Sequence, residues 1–368
     1  MIKSLEDISL SKGEYGGGFS AVDYFSDVPR YIRITDIKDN GQLKSIIKAP
    51  SGNPKEWNKY LLNDGDILFA RSGATVGKTF LYRKELGKCI YAGYLIRFRP
   101  NQEIANPKYV YYYTKTLEYY NWIKNKQNVV AQPNINAKQY GQELKIPLPS
   151  ILIQQKIVAI LDEADKVRQL NKELITKYNE LIQSLFLEMF GDIIGNDKKW
   201  DITTFDNVIS LKRGYDLPIK SRNGGEIPVV ASTGIVGYHN EFKALENCIV
   251  TGRSGSIGKV QLIKTKCWPL NTSLYGYKTY NNNPIYLEYF VRNFQLNRFS
   301  RGAGVPTLDR KLVHSEIVPF INISLQNQFA ERVQIIEQQK EQAQKALQKS
   351  EDLFNSLLQK AFKGELIK

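Results

Sequence analysis

The segments of this sequence that could bind a phosphate lack the spacing that phosphate binding needs. Residues 73–79 (GATVGKT) resemble the loop that cradles phosphates in nucleotide-binding proteins, but three residues separate the glycines where four are required. The related segment 255–260 (GSIGKV) has two intervening residues and lacks the Ser or Thr that would bind magnesium. We therefore interpret both segments as glycine-containing turns and not as nucleotide sites.

Two further segments resemble a base-binding motif. The sequences NPKY at Asn106 and NPIY at Asn283 are similar to the NPPY motif with which methyltransferases hold a flipped adenine, but both lack the second proline. An Asn cap followed by Pro in the first helical turn explains the pair better, because each precedes an aromatic, helix-like run. Core packing is thus predicted, with base stacking as the alternative, for the rings of Tyr112, Tyr113, Tyr289 and Phe290.

Residues that could support catalysis or bind a metal are sparse. The two histidines, His239 and His314, align with no histidine in the first half of the chain. The three cysteines form no CxxC pair, which argues against a zinc site and against a disulfide framework. Since the sequence offers no nucleophile, acid–base pair or metal cluster, it predicts a chain without a cofactor or metal that catalyses nothing alone.

The elements that position everything else are two long helices. Residues 154–190 contain no Pro or Gly before position 191, and their apolar residues alternate three and four apart, which is the heptad pattern of a helix packed lengthwise on another. About 36 residues at roughly 1.5 Å each predict a rod of roughly 54 Å. The predicted pairing or partner-docking positions are Ile157, Ile160, Val167, Asn171, Leu174, Tyr178, Leu181 and Leu185.

The same stretch returns 172 positions later, at residues 326–362, without a gap. Its seam is weaker, because polar or small residues replace apolar ones at Gln339, Ala343 and Ser350. The equivalent pairing positions are Phe329, Val333, Ile336, Leu353 and Leu357. We predict that the two helices form an antiparallel coiled coil, the alternative being two independent surface helices.

The segments before each helix are also copies of each other. Residues 65–73 (GDILFARSG) align with 247–255 (NCIVTGRSG), and each reads as a strand that enters a glycine-containing turn. A second strand pair aligns 94–99 with 273–278, and 132–135 aligns with 305–308 ahead of each helix. The predicted fold class is therefore α+β, with two similar β-rich domains, two long antiparallel helices and a pseudo-twofold internal repeat.

The predicted boundaries follow this repeat. We expect a first β-rich domain at 1–150, a central helix at 151–191, a second β-rich domain at 192–322 and a C-terminal helix at 323–368. Chain order then places the two domains at opposite ends of the paired helices, so that helix length acts as a ruler.

The charge distribution points to a polyanionic partner. The net charge is +14, and residues 1–150 and 197–322 carry about +8 and +7 of it. Two basic domains on near-neutral helices suggest a polyanion bound at two places, the alternative being a merely soluble basic protein. The N-terminal residues show no signal peptide and no apolar run is long enough for a membrane span, so we expect a cytoplasmic protein that contacts no membrane.

Five motifs follow one another along the chain: GDILFARSG at 65–73, AQPNI at 131–135, IPLP at 146–149, QQKIV at 154–158 and SLFLEMFGD at 184–192. Together with the repeats, they resemble the specificity subunit of a type I restriction–modification system. The resemblance covers essentially the whole chain, and its order and duplication are more specific than any single motif. The second half departs from the pattern at Val305, which replaces the glutamine of the QP pair.

This resemblance implies a non-catalytic subunit of a DNA methyltransferase and endonuclease complex. Each of its two target-recognition domains would read one half of a bipartite site in double-stranded DNA. The helices would set the unread spacer and dock two modification subunits, which bind S-adenosylmethionine. Two ATP- and Mg-dependent restriction subunits would complete the nuclease. A stand-alone nucleic-acid enzyme and a coiled-coil adaptor that binds proteins or RNA are the alternatives.

Candidate DNA-contacting residues fall into two groups. Motifs shared by both domains cannot explain different sequence preferences, so their basic residues are phosphate or scaffold groups: Arg71, Lys78, Arg253 and Lys259. Base readers should lie where the copies diverge, because Arg, Lys, Asn and Gln there have donors for guanine and adenine edges. These candidates are Arg33, Lys126, Gln127, Asn128, Arg213, Arg222, Arg301 and Arg310.

Overall fold

The computed structural model describes residues 1–127, 134–302 and 306–367. The chain divides into two compact units. Unit 1 comprises Met1–Leu170 together with Ala346–Lys368, and unit 2 comprises Asn171–Lys345. Each unit therefore contains one β-rich body, part of the central helix and part of the C-terminal helix.

Helices are few and mostly short outside the two long ones. Their bounds are α1 Pro54–Trp57, α2 Pro107–Tyr113, α3 Leu117–Gln127, α4 Ala137–Glu143, α5 Ile151–Phe190, α6 Phe205–Val208, α7 Pro284–Asn293, α8 Arg310–Ser315 and α9 Ile323–Lys363. Short 3₁₀ turns cover Ile34–Asp36, Asn58–Tyr60, Gly73–Thr75, Lys84–Leu86, Ile219–Ser221 and Leu296–Phe299.

The strands lie in the bodies of the two units. In unit 1 they are β1 Ile2–Ser4, β2 Glu14–Tyr15, β3 Ala21–Asp23, β4 Arg30–Ile32, β5 Lys48–Pro50, β6 Ile67–Ala70, β7 Thr79–Leu81, β8 Cys89–Tyr91, β9 Leu95–Phe98 and β10 Lys145–Pro147. In unit 2 they are β11 Ile202–Thr204, β12 Ser210–Arg213, β13 Ile227–Ala231, β14 Gly234–His239, β15 Cys248–Gly252, β16 Val260–Ile263, β17 Trp268–Pro269, β18 Ser273–Lys278, β19 Ser300–Arg301, β20 Thr307–Leu308 and β21 Ile317–Pro319.

The two bodies share their main strand pairings. Unit 1 contains an antiparallel sheet of order β2-β9-β6-β7, and unit 2 contains one of order β12-β18-β15-β16. Each body also has a parallel pair, β4 with β8 and β13 with β17, and an antiparallel pair of its first and last strands, β1 with β10 and β11 with β21. The predicted internal repeat and the α+β fold class are confirmed.

Apolar strands at the centre of each sheet explain why these segments pair. Strand β6 (ILFA) and strand β15 (CIVTG) are buried along their whole length. Continuous burial of both strand faces is the pattern of a strand that is covered on both sides. Phe69 of β6 packs edge-on against Phe98 and also contacts Tyr140, which builds the core of unit 1.

The predicted helix caps are confirmed in both units. The Asn106 side chain accepts hydrogen bonds from the backbone of Lys108 and Tyr109, and Asn283 does the same for Ile285 and Tyr286. Such caps satisfy backbone donors that a helix start leaves unpaired. The rings predicted to be core are buried, namely Tyr112, Tyr113, Tyr289 and Phe290.

Each long helix is joined to a body by a buried glutamine. In unit 1, Gln154 accepts from the Asn106 N–H over 2.8 Å and donates to the carbonyls of Ile104 and Pro149. In unit 2, Gln326 accepts from the Asn283 N–H over 2.9 Å. Both amides are buried and fully used, which fixes the start of each helix against its body.

Helices α5 and α9 pack together in an antiparallel sense within each unit. In unit 1 the Arg168 guanidinium of α5 lies 4.3 Å from the centroid of the Phe354 ring of α9. In unit 2 the rings of Phe186 and Phe190 lie 5.6 and 5.2 Å from Phe329, close to the start of α9. Late residues of one helix thus meet early residues of the other, as predicted.

The buried face of these helices differs from the predicted seam. Ile157, Leu185, Phe329 and Val333 are buried, and Asn171, Tyr178, Ile336 and Leu357 are partly buried. The predicted burial is wrong at five positions, whose exposed fractions are 38% for Ile160, 50% for Val167, 41% for Leu174, 49% for Leu181 and 54% for Leu353.

The physical reason is that each long helix must pack against a body as well as against the other helix. The strongest contacts therefore lie next to the predicted positions, at Leu161, Ile182, Phe354 and Leu358, which are all nearly inaccessible. Ile160, Val167, Leu174 and Leu181, which are seven residues apart, stay near one face of α5, and that face remains exposed.

Within the described ranges no helix is both long and apolar enough to cross a membrane.

Candidate nucleic-acid interface

The repeated Arg-Ser-Gly turn is built by its backbone. In unit 1 the Arg71 N–H donates to the Tyr94 carbonyl, and the Arg71 carbonyl accepts from Ile135. In unit 2 the Arg253 N–H and carbonyl make the equivalent bonds, to Thr272 and Leu308, over 2.9 and 2.8 Å. These bonds join the central strand of each sheet to the segment ahead of each long helix. Both arginines therefore occupy a scaffold position that the two units share.

The side chains of these two arginines differ in their surroundings. The Arg71 guanidinium lies 4.7 Å from the centroid of the Tyr15 ring, and its Nε donates to Asn134 over 3.2 Å. Arg253 instead donates to the Asn271 carbonyl over 3.4 Å. Toward the residues that the structure describes, each guanidinium has donors left over, so each can contact a phosphate in addition to its intramolecular bonds.

The two predicted lysines of these turns also have intramolecular partners. Lys78 pairs with Asp39 over 2.7 Å, and the Asp39 side chain is almost fully exposed. Such a surface pair contributes little stability, so the lysine can exchange its carboxylate partner for a phosphate. Lys259 donates to the Thr233 carbonyl.

The candidates at the end of α3 lie beside α4. Lys126 forms an ion pair with Glu143 and lies 5.9 Å from the centroid of the Trp122 ring. Gln127 is the last residue of α3 and is half-buried. Asn128 lies outside the described residues.

The unit 2 candidates are spread over several segments. Arg213 lies at the end of β12 and pairs with Asp216 over 3.2 Å. Arg222 donates to the Val236 carbonyl on the β14 strand over 2.9 Å. The structure therefore does not gather the unit 2 candidates into one cluster of free cations.

The last two candidates flank the segment before α9. Arg301 is largely exposed and lies 3.8 Å from Asp309, whereas Arg310 at the start of α8 donates to the Leu211 carbonyl over 3.3 Å. Arg301 is thus available to a ligand, and Arg310 links α8 to β12.

Arg33 has the most defined environment of all the candidates. The carboxylate of Asp36 accepts from the backbone N–H and the Nε of Arg33 over 3.0 Å each, and from its Nη2 over 2.7 Å. Asp36 is 4% exposed, while the Arg33 side chain is 30% exposed. Hydrogen bonding to this carboxylate raises the pKa of the Arg33 guanidinium further, so that it stays charged.

An open cavity of about 690 Å³ lies beside Arg33 in unit 1. A glycine-rich loop, a turn after β8 and aromatic side chains form its walls. Its lining residues are Gly17, Gly18, Phe19, Ala21, Tyr31, Arg33, Ile34, Thr35, Ala92, Gly93 and Tyr94. Apart from Arg33, these residues are not among the predicted candidates. The run of three glycines at 16–18 is the sequence signal that could have pointed to them.

His314 is a half-buried hydrogen-bond acceptor in unit 2. The Leu211 N–H donates to its Nε2 over 3.0 Å, and its Nδ1 lies 3.1 Å from Oδ1 of Asp206. The tautomer that accepts at Nε2 carries its proton on Nδ1, towards Asp206. Burial lowers the pKa of His314, Asp206 opposes this shift, and Arg310 adds to it. The role of this histidine is therefore to hold strand β12.

In the part of the chain that the structure describes, no group of three or more His, Cys, Asp and Glu side chains could hold a metal ion. The candidate interface consists mainly of arginine, lysine and aromatic side chains. Such side chains bind the phosphates and bases of nucleic acids.

Comparisons with known proteins agree with this architecture. Residues 11–180 match the family "Type I restriction modification DNA specificity domain". No curated protein matches the sequence.

Two solved structures share the fold over nearly the whole chain. One is a chain from a study of complex assembly and conformational transition in a type I R-M system, with a TM-score of 0.60, 16% identity and coverage of 100% of this chain and 98% of that one. The other is the S subunit of a type I restriction–modification system from M. genitalium, with a TM-score of 0.57, 17% identity and coverage of 98% and 96%. Through the match over residues 11–180, which spans most of the body of unit 1 and most of α5, this part of the chain belongs to the type I restriction modification DNA specificity domain family.

Proposed function

We propose that this chain is the specificity subunit of a type I restriction–modification enzyme and that each unit reads one half of a bipartite site in double-stranded DNA. The observation that carries the proposal is a duplicated fold with different side chains at equivalent positions. The sheet order and the glutamine that fixes each long helix are the same in both units. A shared scaffold with divergent surface residues suits two readers of different sequences.

The equivalence of the units can be followed residue by residue in the parallel strand pairs. The Ala92 N–H donates to the Ile32 carbonyl over 2.9 Å, and the Leu270 N–H donates to the Val230 carbonyl over 2.8 Å. The residue that follows Ile32 is Arg33, and the residue that follows Val230 is Ala231. A charged donor in one unit thus replaces a methyl group in the other.

Binding to DNA would use both kinds of basic residue. The shared turn arginines and surface lysines contact phosphates, which position the duplex without reading its sequence. Surface carboxylates such as Asp39 are paired with lysines in the free protein, so DNA must displace them. We therefore expect the chain alone to bind DNA weakly, with an affinity that falls steeply with salt.

A partner would dock on the exposed apolar face of α5. Ile160, Val167, Leu174 and Leu181 recur every seven residues and are 38 to 50% exposed. Successive members of this set, the α5 stripe, are rotated by only about 20° on a helix, so they follow one face. A regularly spaced apolar stripe suits a partner that lies along the helix, and the partner we assign to it is a methyltransferase subunit.

Chemistry would belong to the partners. The chain itself would select the sequence, two modification subunits would bind S-adenosylmethionine and methylate the DNA, and two ATP-dependent restriction subunits would complete the nuclease. Enzymes that modify a base must extract it from the duplex stack, whereas a specificity subunit need only hold the duplex.

The long helices would also set the interval between half-sites. Helices α5 and α9 contain 40 and 41 residues, and each begins in one unit and ends in the other without a break. An uninterrupted helix has a fixed rise per residue, so its length can set a distance.

The test is to map methylated sites in a host that expresses this chain with its methyltransferase subunit. A bipartite motif with a fixed unread spacer is expected. Replacing residues 192–322 by the equivalent segment of another such subunit should change one half of the motif and leave the other half and the spacer unchanged. Reinsertion of the native segment serves as the control for the cloning junctions.

Two outcomes would contradict the proposal. Methylation without a bipartite motif would exclude two readers. Sequence-independent binding of RNA or of a protein, with no effect on DNA methylation, would favour the adaptor alternative.

A further inference from the structure

The cavity beside Arg33 exists in unit 1 because glycines occupy the loop after β2. Backbone N–H of Gly17 donates to the Tyr91 carbonyl over 2.9 Å, which draws the loop against the turn after β8. A side chain at Gly16 could not fit, because its Cβ would lie 2.3 Å from the Ala92 carbonyl oxygen. At Gly18 an added Cβ would meet no atom within 4 Å, so this position opens directly onto free space.

The residue at the position equivalent to Gly17 in unit 2 is Tyr215. The Tyr215 N–H donates to the Pro269 carbonyl over 2.8 Å, which is the bond that Gly17 makes in unit 1. The Tyr215 ring packs 6.2 Å from Trp268, and its hydroxyl lies 3.1 Å from that of Tyr275. One unit thus carries an aromatic side chain where the other carries a glycine and a cavity.

The guanidinium that lines this cavity is held in one orientation. Asp36 engages the Nε and one side of Nη2 of Arg33, and Asp36 itself is buried. Among the described residues no acceptor contacts Nη1 of Arg33. The outer N–H groups of Nη1 and Nη2 therefore remain as a pair of parallel donors. Because the side chain is already ordered, little conformational entropy is lost when those donors bind a ligand.

From this geometry we propose that Arg33, positioned by Asp36, reads a guanine in the half-site bound by unit 1. This inference rests on the proposed function. Two parallel N–H donors match the O6 and N7 acceptors of guanine in the major groove, whereas adenine presents an N6 amino donor in place of O6. The donor pair thus accepts guanine and rejects adenine.

The surroundings favour a base over a phosphate as the ligand. Phe19 and Tyr94 line the cavity with Arg33, and Tyr94 is 62% exposed. Aromatic rings suit the thymine methyl groups and apolar edges that bases present in the major groove, whereas a phosphate would be better served by several cations and backbone amides. The residue equivalent to Arg33 in unit 2 is Ala231, so this contact would be specific to one half-site.

The test compares methylation by complexes that carry parent or variant chains on a DNA library randomised at both half-sites. In Arg33→Ala, one position of the unit 1 half-site should lose its guanine preference, with a selectivity change of roughly 5- to 150-fold. Arg33→Lys keeps the charge but not the paired donors, and should lose most of the same selectivity. In Asp36→Asn, where the positioning carboxylate is removed, the same position should relax by a smaller factor.

Arg30→Ala is the matched control. Arg30 is the first residue of strand β4, which ends one residue before Arg33, and it carries the same charge, but it donates to the Lys44 carbonyl and does not line the cavity. This variant should leave the base preference at every position unchanged. Thermal unfolding of each variant complex shows whether it has folded, and Arg33→Lys serves if Arg33→Ala has not.

The outcomes separate this inference from the proposed function. If the parent complex has no bipartite motif, the proposed function fails. If the parent motif is present and folded Arg33 variants keep it unchanged, Arg33 does not read a base. An even loss of methylation over all sequences would also overturn the inference, because it would make Arg33 a backbone or folding contact.

Discussion

The phenol of Tyr112 on α2 donates a 2.6 Å hydrogen bond to the carboxylate of Asp162 on α5. Lys108, one turn earlier on α2, lies 2.7 Å from the same carboxylate. Burial is the main cause of the raised pKa of Tyr112, and the nearby carboxylate adds to it, so the hydroxyl stays protonated and acts as the donor. This contact joins the body of unit 1 to the first part of the long helix.

Removal of that hydroxyl should destabilise the chain. A hydrogen bond to a charged group contributes about 1.5–3 kcal/mol. Asp162 keeps Lys108 as a partner and is 34% exposed, so we expect Tyr112→Phe to cost about 1.5 kcal/mol. Urea unfolding measures this loss. The control is Tyr120→Phe, because Tyr120 is a half-exposed tyrosine on α3. This variant should change the unfolding free energy by less than about 0.5 kcal/mol.

Neighbouring residues of α5 should differ sharply in their contribution to stability. Leu161 is 0% exposed and Ile160 is 38% exposed. Truncation of a buried leucine leaves a cavity and typically costs about 2.7–5 kcal/mol, so Leu161→Ala should fall in that range. Ile160→Ala should cost about 1 kcal/mol or less, because much of its side chain already contacts water. Denaturant unfolding measures both changes. If the two variants lose equal unfolding free energy, Ile160 is buried as the heptad pattern predicted.

The stability of unit 2 should depend on pH through His314. The pKa of this histidine is lowered in the folded protein, so the unfolded chain binds the extra proton first. His314 should therefore cost no stability above pH 6.5, the ordinary pKa of histidine. The unfolding free energy should fall as the pH drops below that value. One proton gives a slope of at most about 1.4 kcal/mol per pH unit.

The variant His314→Gln tests this origin. Glutamine retains an oxygen acceptor for the Leu211 N–H but does not titrate in this range. Denaturant unfolding between pH 5 and about 7.5 should give a flatter curve for the variant than for the parent. Parallel curves would assign the acid sensitivity to other groups.

The exposed α5 stripe should be needed for docking and not for folding. Leu174→Gln combined with Leu181→Gln should leave thermal unfolding within a few degrees of the parent, since both side chains are more than 40% exposed. Each leucine buried by a partner would contribute about 2 kcal/mol to binding, so co-purification of the methyltransferase subunit should be lost.

Lys166→Gln with Thr176→Gln is the control for the stripe. Both residues are exposed on other faces of α5, and this pair should retain the subunit. Retention of the subunit by the double leucine variant would place the docking surface elsewhere.

Helix length should control the spacer. Inserting seven residues after Leu174 and seven after Ala346 keeps the apolar faces in phase and adds roughly 10 Å to each helix. Because base pairs are about 3.4 Å apart, the unread spacer should grow by up to about three base pairs. DNA bending can accommodate part of the added length and would reduce this number. Mapping of methylated sites should show unchanged half-sites and a wider gap. An unchanged gap in an active variant would show that another element sets the spacing.

Sequence periodicity and internal repetition determined much of the fold. An uninterrupted run of helix-forming residues predicted both long helices, because no Pro or Gly breaks the backbone hydrogen bonds there. The Asn-Pro pairs predicted helix starts at Pro107 and Pro284, because capping is a contact between near neighbours in the chain. The duplication predicted that the same sheet would be built twice.

Tertiary packing alone decided which side chains are available. A heptad pattern describes one helix against another, but α5 also packs on the bodies, so Leu161 is buried and Ile160 is not. The spacing of Arg33 and Asp36 is visible in the sequence, yet their pairing depends on a 3₁₀ turn that buries the carboxylate. The cavity depends on a loop that meets β8 more than seventy residues later, where the backbone of Gly17 bonds Tyr91. Contacts between residues so far apart are set by the fold and not by local sequence preference.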